Sequence, residues 1–298
     1  MTPLAAIAAP QGFSRHGHIY VPTVTAQDRA NLAWFGEEAQ KRVSSGGFGA
    51  VVARLVSRSA QPACDPWFGS NYQANISHYF GAPAEELYLP GEPASGAITG
   101  KIAGNVLSPV TSPLYRQTLS GAHLGAGFDA GTTDSFDAAN SSVHSYSNLV
   151  AYSVLIAVRI QAVTVNELFG KRSATLGYEA YLTTGRIYHT SVGVVGSATP
   201  YVPWVAADWY GIPIWLSYWW SPATNAFGID SSIAGGTSAL ISSVGDTTNA
   251  STFALGSQRV SAAGFVLGLA IIWSGADAET VIAARTTTLP AWWAEATA

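Results

Sequence analysis

From about residue 115 onward the chain is a succession of short β-branched and aromatic runs, and no long helical pattern interrupts them. SNLVAYSVLIAVRIQA, YEAYLTTGRIYHTSVGVV, IPIWLSYWW, AFGIDSSIAG, STFALGSQR and GFVLGLAIIWS follow one another, separated by Gly, Asn, Ser, Thr and Pro. Such runs bounded by turn formers read as strands. Parallel neighbours would need long crossovers, usually helices, between them. The pattern therefore predicts a mainly β chain built as an antiparallel β-sandwich.

Composition narrows the classes. Of 298 residues, 48% are hydrophobic and 11% charged, a balance opposite to that of disordered chains. The surface must then be polar through Ser, Thr, Asn and Gly, or be covered by partners. The lysines are Lys41, Lys101 and Lys171. A net charge of −4 without a basic block excludes a nucleic-acid footprint. Cys64 is the lone cysteine, which excludes an internal disulfide and a cysteine-based metal site. The opening MTPLAAIAAPQGF lacks a basic segment and a proper apolar stretch, so no export signal is expected. The apolar run LVAYSVLIAV at 149–158 is too short to span a bilayer.

The first third differs from the rest. Thr25-Ala-Gln-Asp28 has the form of a helix start, predicting a helix to about Val43 that stops at Ser44-Ser45-Gly46-Gly47. Phe48, Val51, Val52, Leu55 and Val56 then repeat with helical period, predicting a second amphipathic helix. From Gln61 to Pro113, turn-rich stretches such as FGAPAEELYLPGEPASG read as an irregular arm. The expected division is a short helical and irregular attachment region, 1–115, followed by a sandwich domain, 116–298.

The order of the later segments resembles the concanavalin A-like, laminin-G-type jelly-roll domains. GAGFDAGTTDSFDA at 125–138 matches their opening segment, followed by the strand AYSVLIAVRIQA. FGKRSATLGYEAYLTTGRIYH at 169–189 matches the next hairpin. Trp209 precedes IPIWLSYWW, GIDSSIAGG follows at 228–236, and FALGSQRVSAAGFVLGLAIIWSGADAETV closes the pattern at 253–281. The resemblance covers a little over half the chain and implies a jelly roll. It does not extend to the first 110 or so residues.

Some jelly rolls of this type hydrolyse glycosides with two carboxyls on one strand. Retaining hydrolysis places those groups about 5 Å apart, which an acid-x-acid spacing supplies. After residue 115 that spacing occurs at Asp277-Ala-Glu279, beyond the last strand, while Glu167, Glu179, Asp208, Asp230 and Asp246 stand alone. His123, His144 and His189 accompany no G-x-S-x-G elbow. No catalytic residue is assigned, and the chain reads as a non-enzyme without a required cofactor. The resemblance also admits calcium, held by loop carboxylates and carbonyls. Asp129, Asp134, Asp137 and Asn140 are placed for that, although a solvated Asx-rich turn has the same composition.

The aromatics are concentrated: Trp204, Trp209, Trp215, Trp219 and Trp220 lie within 17 positions of one another. On a strand, Trp215, Ser217 and Trp219 share one face, and Leu216, Tyr218 and Trp220 the other. Neither face alternates with polar residues, so both require cover. Three arrangements provide it: core on both sides, a subunit or lattice interface rich in aromatic anchors, or a stacking platform for sugars. Trp209, Trp215, Tyr218, Trp219 and Trp220 are thus ligand or interface candidates. Trp292 and Trp293 join them, because two tryptophans near a chain end imply docking on this domain or on a neighbour.

Low charge, scarce lysine, a distinct N-terminal region and a jelly roll without paired carboxylates suit a part of an assembly. Jelly rolls of this type with unrelated attachment regions occur in tailed-phage virion proteins. The resemblance thus implies a bacteriophage structural protein, as capsid decoration, head fibre or tail-associated protein. Its partners would be the major capsid or tail protein and copies of itself, and its location the virion. The alternative is a lectin-like adhesin that binds host-surface glycans.

Overall fold

The computed structural model describes residues 13–16 and 19–22 and, apart from short stretches such as 129–133, 139–143, 162–165, 204–208, 234–236 and 257–263, residues 65–297. The chain divides into two compact units, Met1–Cys64 and Asp65–Ala298. In the first, β1 (Phe13–His16) and β2 (Ile19–Pro22) form an antiparallel hairpin. Both helices expected over 25–56 lie outside the described residues.

The second unit opens with α1 (Tyr72–Phe80), β3 (Glu86–Tyr88), β4 (Ile98–Thr99), β5 (Val106–Val110), β6 (Leu114–Ser120), β7 (His123–Phe128) and β8 (Ser135–Ala138). β9 (Tyr152–Ile160), β10 (Asn166–Arg172), β11 (Gly177–Leu182), β12 (Arg186–Gly193), β13 (Gly196–Ala198) and β14 (Tyr201–Pro203) follow. The chain closes with β15 (Pro213–Ser221), β16 (Ala226–Ser231), β17 (Thr237–Ile241), β18 (Phe253–Gly256), β19 (Phe265–Ser274) and α2 (Gly275–Ala296). Two antiparallel sheets form a sandwich, as the alternation of turns and short runs predicts. Among the described residues, one sheet runs β17-β16-β15-β9-β19-β7-β6 with β3 also on β19. The other runs β13-β12-β11-β10-β18-β8-β5-β4 with β14 on β12.

The jelly-roll unit therefore begins at Asp65, ahead of the boundary expected at 115/116. The stretch read as an arm supplies α1 and three strands, with β3 paired to β19 and β5 to β8. Its Pro and Gly residues mark tight connections between short elements, a signal that a linker shares. Asn71 caps α1 by accepting from the Ala74 N–H, and Gly81 ends it at φ 78°. Glu86, fully buried, organises the 100–105 loop. Its carboxylate accepts from the backbone N–H groups of Leu87, Ile102, Ala103 and Asn105 and from the Asn105 side chain, at 2.9–3.2 Å.

The apolar strands lack alternation because the sheet containing β15 is covered on both sides. Tyr152, Val154, Ile156, Leu216, Tyr218 and Trp220 point into the core between the sheets. Leu155, Ala157, Trp215, Trp219, Trp273 and Leu289 belong to a second core on the outer face, which α1 and α2 cover. α2 was not anticipated: GADAETVIAARTTTLPAWWAEA contains a threonine run and Pro290, both poor in helices. Its signal is the buried stripe Ala278, Val281, Ile282, Leu289, Trp292 and Ala296 at helical spacing.

Candidate binding face

On the outer face of the other sheet, three tyrosines form a row across β11, β12 and β14. Ile187, His189 and Ser191 of β12 are buried toward the sandwich interior, so strand alternation turns Arg186, Tyr188 and Thr190 outward. Tyr188 pairs with Tyr181 on one side and with Tyr201 on the other. The Tyr181 and Tyr188 rings lie 4.7 Å apart and 13° from parallel, and Tyr188 and Tyr201 lie 5.8 Å apart at 48°. The Arg186 guanidinium stands 4.2 Å from the centre of the Tyr201 ring. Thr190 donates from its hydroxyl to Thr199 at 3.5 Å beside the row.

The geometry dictates what this surface offers. Cross-strand neighbours are spaced by about 5 Å, which suits near-parallel rings standing side by side like plates. The rings cover one another's faces and leave edges and phenol groups on the outside. A phenol both donates and accepts, and a tyrosine loses little conformational entropy when it makes a contact. Tyr201 is 38% exposed, Tyr181 and Tyr188 are half-buried, and Arg186 is exposed. The Tyr188 hydroxyl, hydrogen-bonded to Arg186, raises the already high guanidinium pKa. The result is a partly exposed, amphipathic aromatic surface.

Glu167 and Glu179, isolated in sequence, come together on the same face. A side chain added at Gly170 would lie 2.4 Å from a Glu167 carboxylate oxygen and 3.2 Å from the Glu179 Cβ. Both glutamates are buried, so neither is open to a substrate.

A second tyrosine cluster lies inside the sandwich. Tyr146, Tyr152 and Tyr178 stack with centres 4.9–6.0 Å apart. The hydrogen bonds fix the ring protons. His189 Nδ1 must donate to the Gly228 carbonyl at 3.0 Å, so Nε2 accepts from the Tyr152 hydroxyl at 2.9 Å, and Tyr152 accepts from Ser191 at 2.8 Å. Tyr146 donates to Glu85 at 3.1 Å and so accepts from His144 Nδ1 at 3.3 Å, leaving Nε2 to accept from Tyr88 at 3.4 Å. Burial pushes His189 down to about 4, opposed by its bond to Gly228. Burial, helped by the charge of Lys171, pushes His144 down to about 3. Burial likewise raises Tyr146, Tyr152 and Tyr178 above the usual phenol range. This cluster is sealed and neutral, suited to tying the two sheets together.

The tryptophan candidates are mostly inside. Trp215, Tyr218, Trp219, Trp220 and Trp292 are at most 4% exposed, while Trp209 and Trp293 are half-buried. Trp219 lies under α2: its indole N–H donates to Asp230 at 2.6 Å, Arg285 donates to the same carboxylate oxygen at 2.9 Å, and the Arg285 guanidinium sits 4.3 Å over the indole. Trp292 donates to the Pro66 carbonyl at 2.7 Å, and Trp67 donates to the Ala296 carbonyl at 2.8 Å. The paired tryptophans thus dock α2 on their own domain, and burial removes the platform reading for Trp215, Tyr218, Trp219, Trp220 and Trp292. The cover supplied by α2 explains why neither face of β15 alternates.

Of the calcium candidates, Asp129 and Asn140 lie outside the described residues. Asp134 accepts from the Ser112 N–H at 3.0 Å, and Asp137 from the Ser135 hydroxyl at 2.6 Å. Among the described residues, no group of three His, Cys, Asp or Glu side chains is placed to hold a metal. Nor is any helix among them long and apolar enough to cross a membrane.

Sequence reasoning missed the tyrosine row, yet a signal existed. In YEAYLTTGRIYH, Thr183 and Arg186 close a hairpin through a 2.8 Å N–H to carbonyl bond. Tyr181 and Tyr188 are equidistant from that turn and hence opposite one another. Tyr201 carried no comparable mark, because its pairing depends on the chain returning to β12.

Comparison with known proteins gives the class of fold. Neither the protein-family models nor the curated proteins match this sequence. Among solved structures, the binding domain of botulinum neurotoxin serotype G is similar, with a TM-score of 0.51 and 10% identity over 71% of this chain and 51% of that one. The binding domain of Paraclostridial Mosquitocidal Protein 1 is similar to the same degree, with a TM-score of 0.51 and 12% identity over 67% of this chain and 52% of that one. The shared feature at such identities is the fold, an antiparallel β-sandwich of jelly-roll type. The chain spans about half the length of each of those domains.

Proposed function

We propose that this protein acts by binding rather than by catalysis, as a lectin-like domain that engages glycans through the Tyr181–Tyr188–Tyr201 face. The observation that carries the reading is the row of partly exposed tyrosines, flanked by the exposed Arg186. Sugar sites combine apolar area with a few placed polar groups, and this face has both. The two similar jelly rolls are themselves binding domains by description, which supports the same class of role. Glycan-array binding of the intact chain, compared with a Tyr188→Ala/Tyr201→Ala variant of unchanged thermal stability, tests it. Binding to a defined set of glycans that the variant loses is the expected result. Binding that the variant retains would remove this face from the site, and silence of the intact chain across the array would remove the glycan reading.

A finer reading sets the binding domain on a tailed-phage particle, with the N-terminal unit as its attachment and the jelly roll displayed outward. The division at Cys64/Asp65 and the scarcity of charge support it. Mass spectrometry of gradient-purified particles tests it: the chain should co-purify with capsid or tail proteins in a fixed copy number. Its absence from particles would end the structural reading while leaving the glycan reading intact.

A further inference from the structure

Arg186 is the cation of the tyrosine face, and its surroundings are unusual for a surface arginine. Neither of the carboxylates nearest in the strand register, Glu167 and Glu179, is exposed beside it, and it forms no ion pair with any described residue. The Tyr201 ring supports one face of the guanidinium, its centre 4.2 Å away. A stacked guanidinium keeps its planar fork of N–H donors in a fixed direction and so loses less freedom when an oxyanion arrives. In a chain with net charge −4, an exposed cation held against a ring, with no counter-ion among the described residues, is positioned for a partner from outside.

Resting on the glycan reading of this face, we infer that its ligand is an acidic saccharide whose carboxylate pairs with Arg186. The fork geometry of arginine matches a planar carboxylate through two parallel N–H to oxygen bonds. The phenols of Tyr188 and Tyr201 lie within the same outward patch and face the hydroxyls of the ring that bears the acid. Arg186→Lys keeps the charge but loses the fork, while Arg186→Gln loses both.

The test uses the full chain and three matched immobilised probes: oligosaccharides bearing a uronate or sialate carboxylate, the same saccharides after reduction of the carboxyl to an alcohol, and sulfated saccharides. The expected result is binding to the carboxylated probe that drops about tenfold or more on carboxyl reduction and by a similar factor in Arg186→Gln, with partial retention in Arg186→Lys. Binding of the carboxylated probe should also weaken as salt is raised. Equal binding of the carboxylated and reduced probes would overturn the acidic-ligand inference while sustaining the glycan reading. Preference for the sulfated probe would overturn the carboxylate assignment, and binding to none of the three would overturn the acidic-ligand inference, while the wider glycan array decides the glycan reading. Arg186 is exposed, so the variants should unfold at the temperature of the parent chain, and loss of binding then reads on recognition.

Discussion

Tyr178 and Tyr181 stand three residues apart on β11 and face opposite sides of the sheet. Tyr178 joins Tyr146 and Tyr152 in a sealed stack, its hydroxyl donating to the His144 carbonyl at 2.8 Å. Tyr181 opens the outward row with Tyr188 and Tyr201. The two groups use the same residue type and similar ring spacings. They differ in the completeness of their hydrogen bonding. Inside, each phenol of the stack has a protein partner. Outside, the Tyr181 and Tyr201 hydroxyls meet no protein partner among the described residues. A satisfied buried network holds sheets together, whereas the outer row keeps hydrogen-bonding capacity open toward solvent.

The largest effect that sharpens this contrast is Tyr152→Ala, which empties the centre of the stack and should cost about 3–5 kcal/mol in urea unfolding. Trp219→Ala, under α2, should lose a comparable amount with the tyrosine face intact. A loss below about 1 kcal/mol at either position would mean that these aromatics do not carry the core.

Acid should separate the groups next. His144 and His189 bind protons in the folded chain only near pH 3 and 4, against about 6.5 when unfolded. Between those values the unfolded chain holds more protons, so their contribution is complete above pH 6.5 and is lost as pH falls toward 4. The loss should reach about 3 kcal/mol from His189 alone. Unfolding midpoints followed from pH 7 to pH 4.5 read this directly, and a flat profile would rule out neutral buried histidines. Tyr188→Ala should leave the slope unchanged.

Smaller still, Tyr178→Phe strands the His144 carbonyl and should cost about 1–3 kcal/mol. Tyr181→Phe on the other face should move stability by about 0.5 kcal/mol or less. Equal costs would erase the distinction between the two clusters.

Much of this architecture is legible in the residues. The series of β-branched runs and turn formers gives the antiparallel sandwich, and the lack of alternation in WLSYWW gives two covered faces for β15. The resemblance to laminin-G-type jelly rolls points the same way. The early boundary at Asp65 is not legible, because Pro and Gly mark both linkers and tight connections between short strands. α2 is masked by Thr286, Thr287, Thr288 and Pro290, whose poor helix propensity is overridden by packing Leu289 and Trp292 onto the sheet. Aromatic residues are densest in WLSYWW because that strand lies between two cores, not because it meets solvent.

By itself the sequence determines the strand pattern, the antiparallel class and the need to cover both faces of β15, because these follow from residue periodicity along one segment. Only the tertiary structure decides which element covers Trp215 and Trp219, which tyrosines meet across β11, β12 and β14, and which of them reach solvent. Those outcomes depend on strands far apart in the chain becoming neighbours, and a periodicity of two sorts a strand's side chains into two faces without saying what lies beyond either.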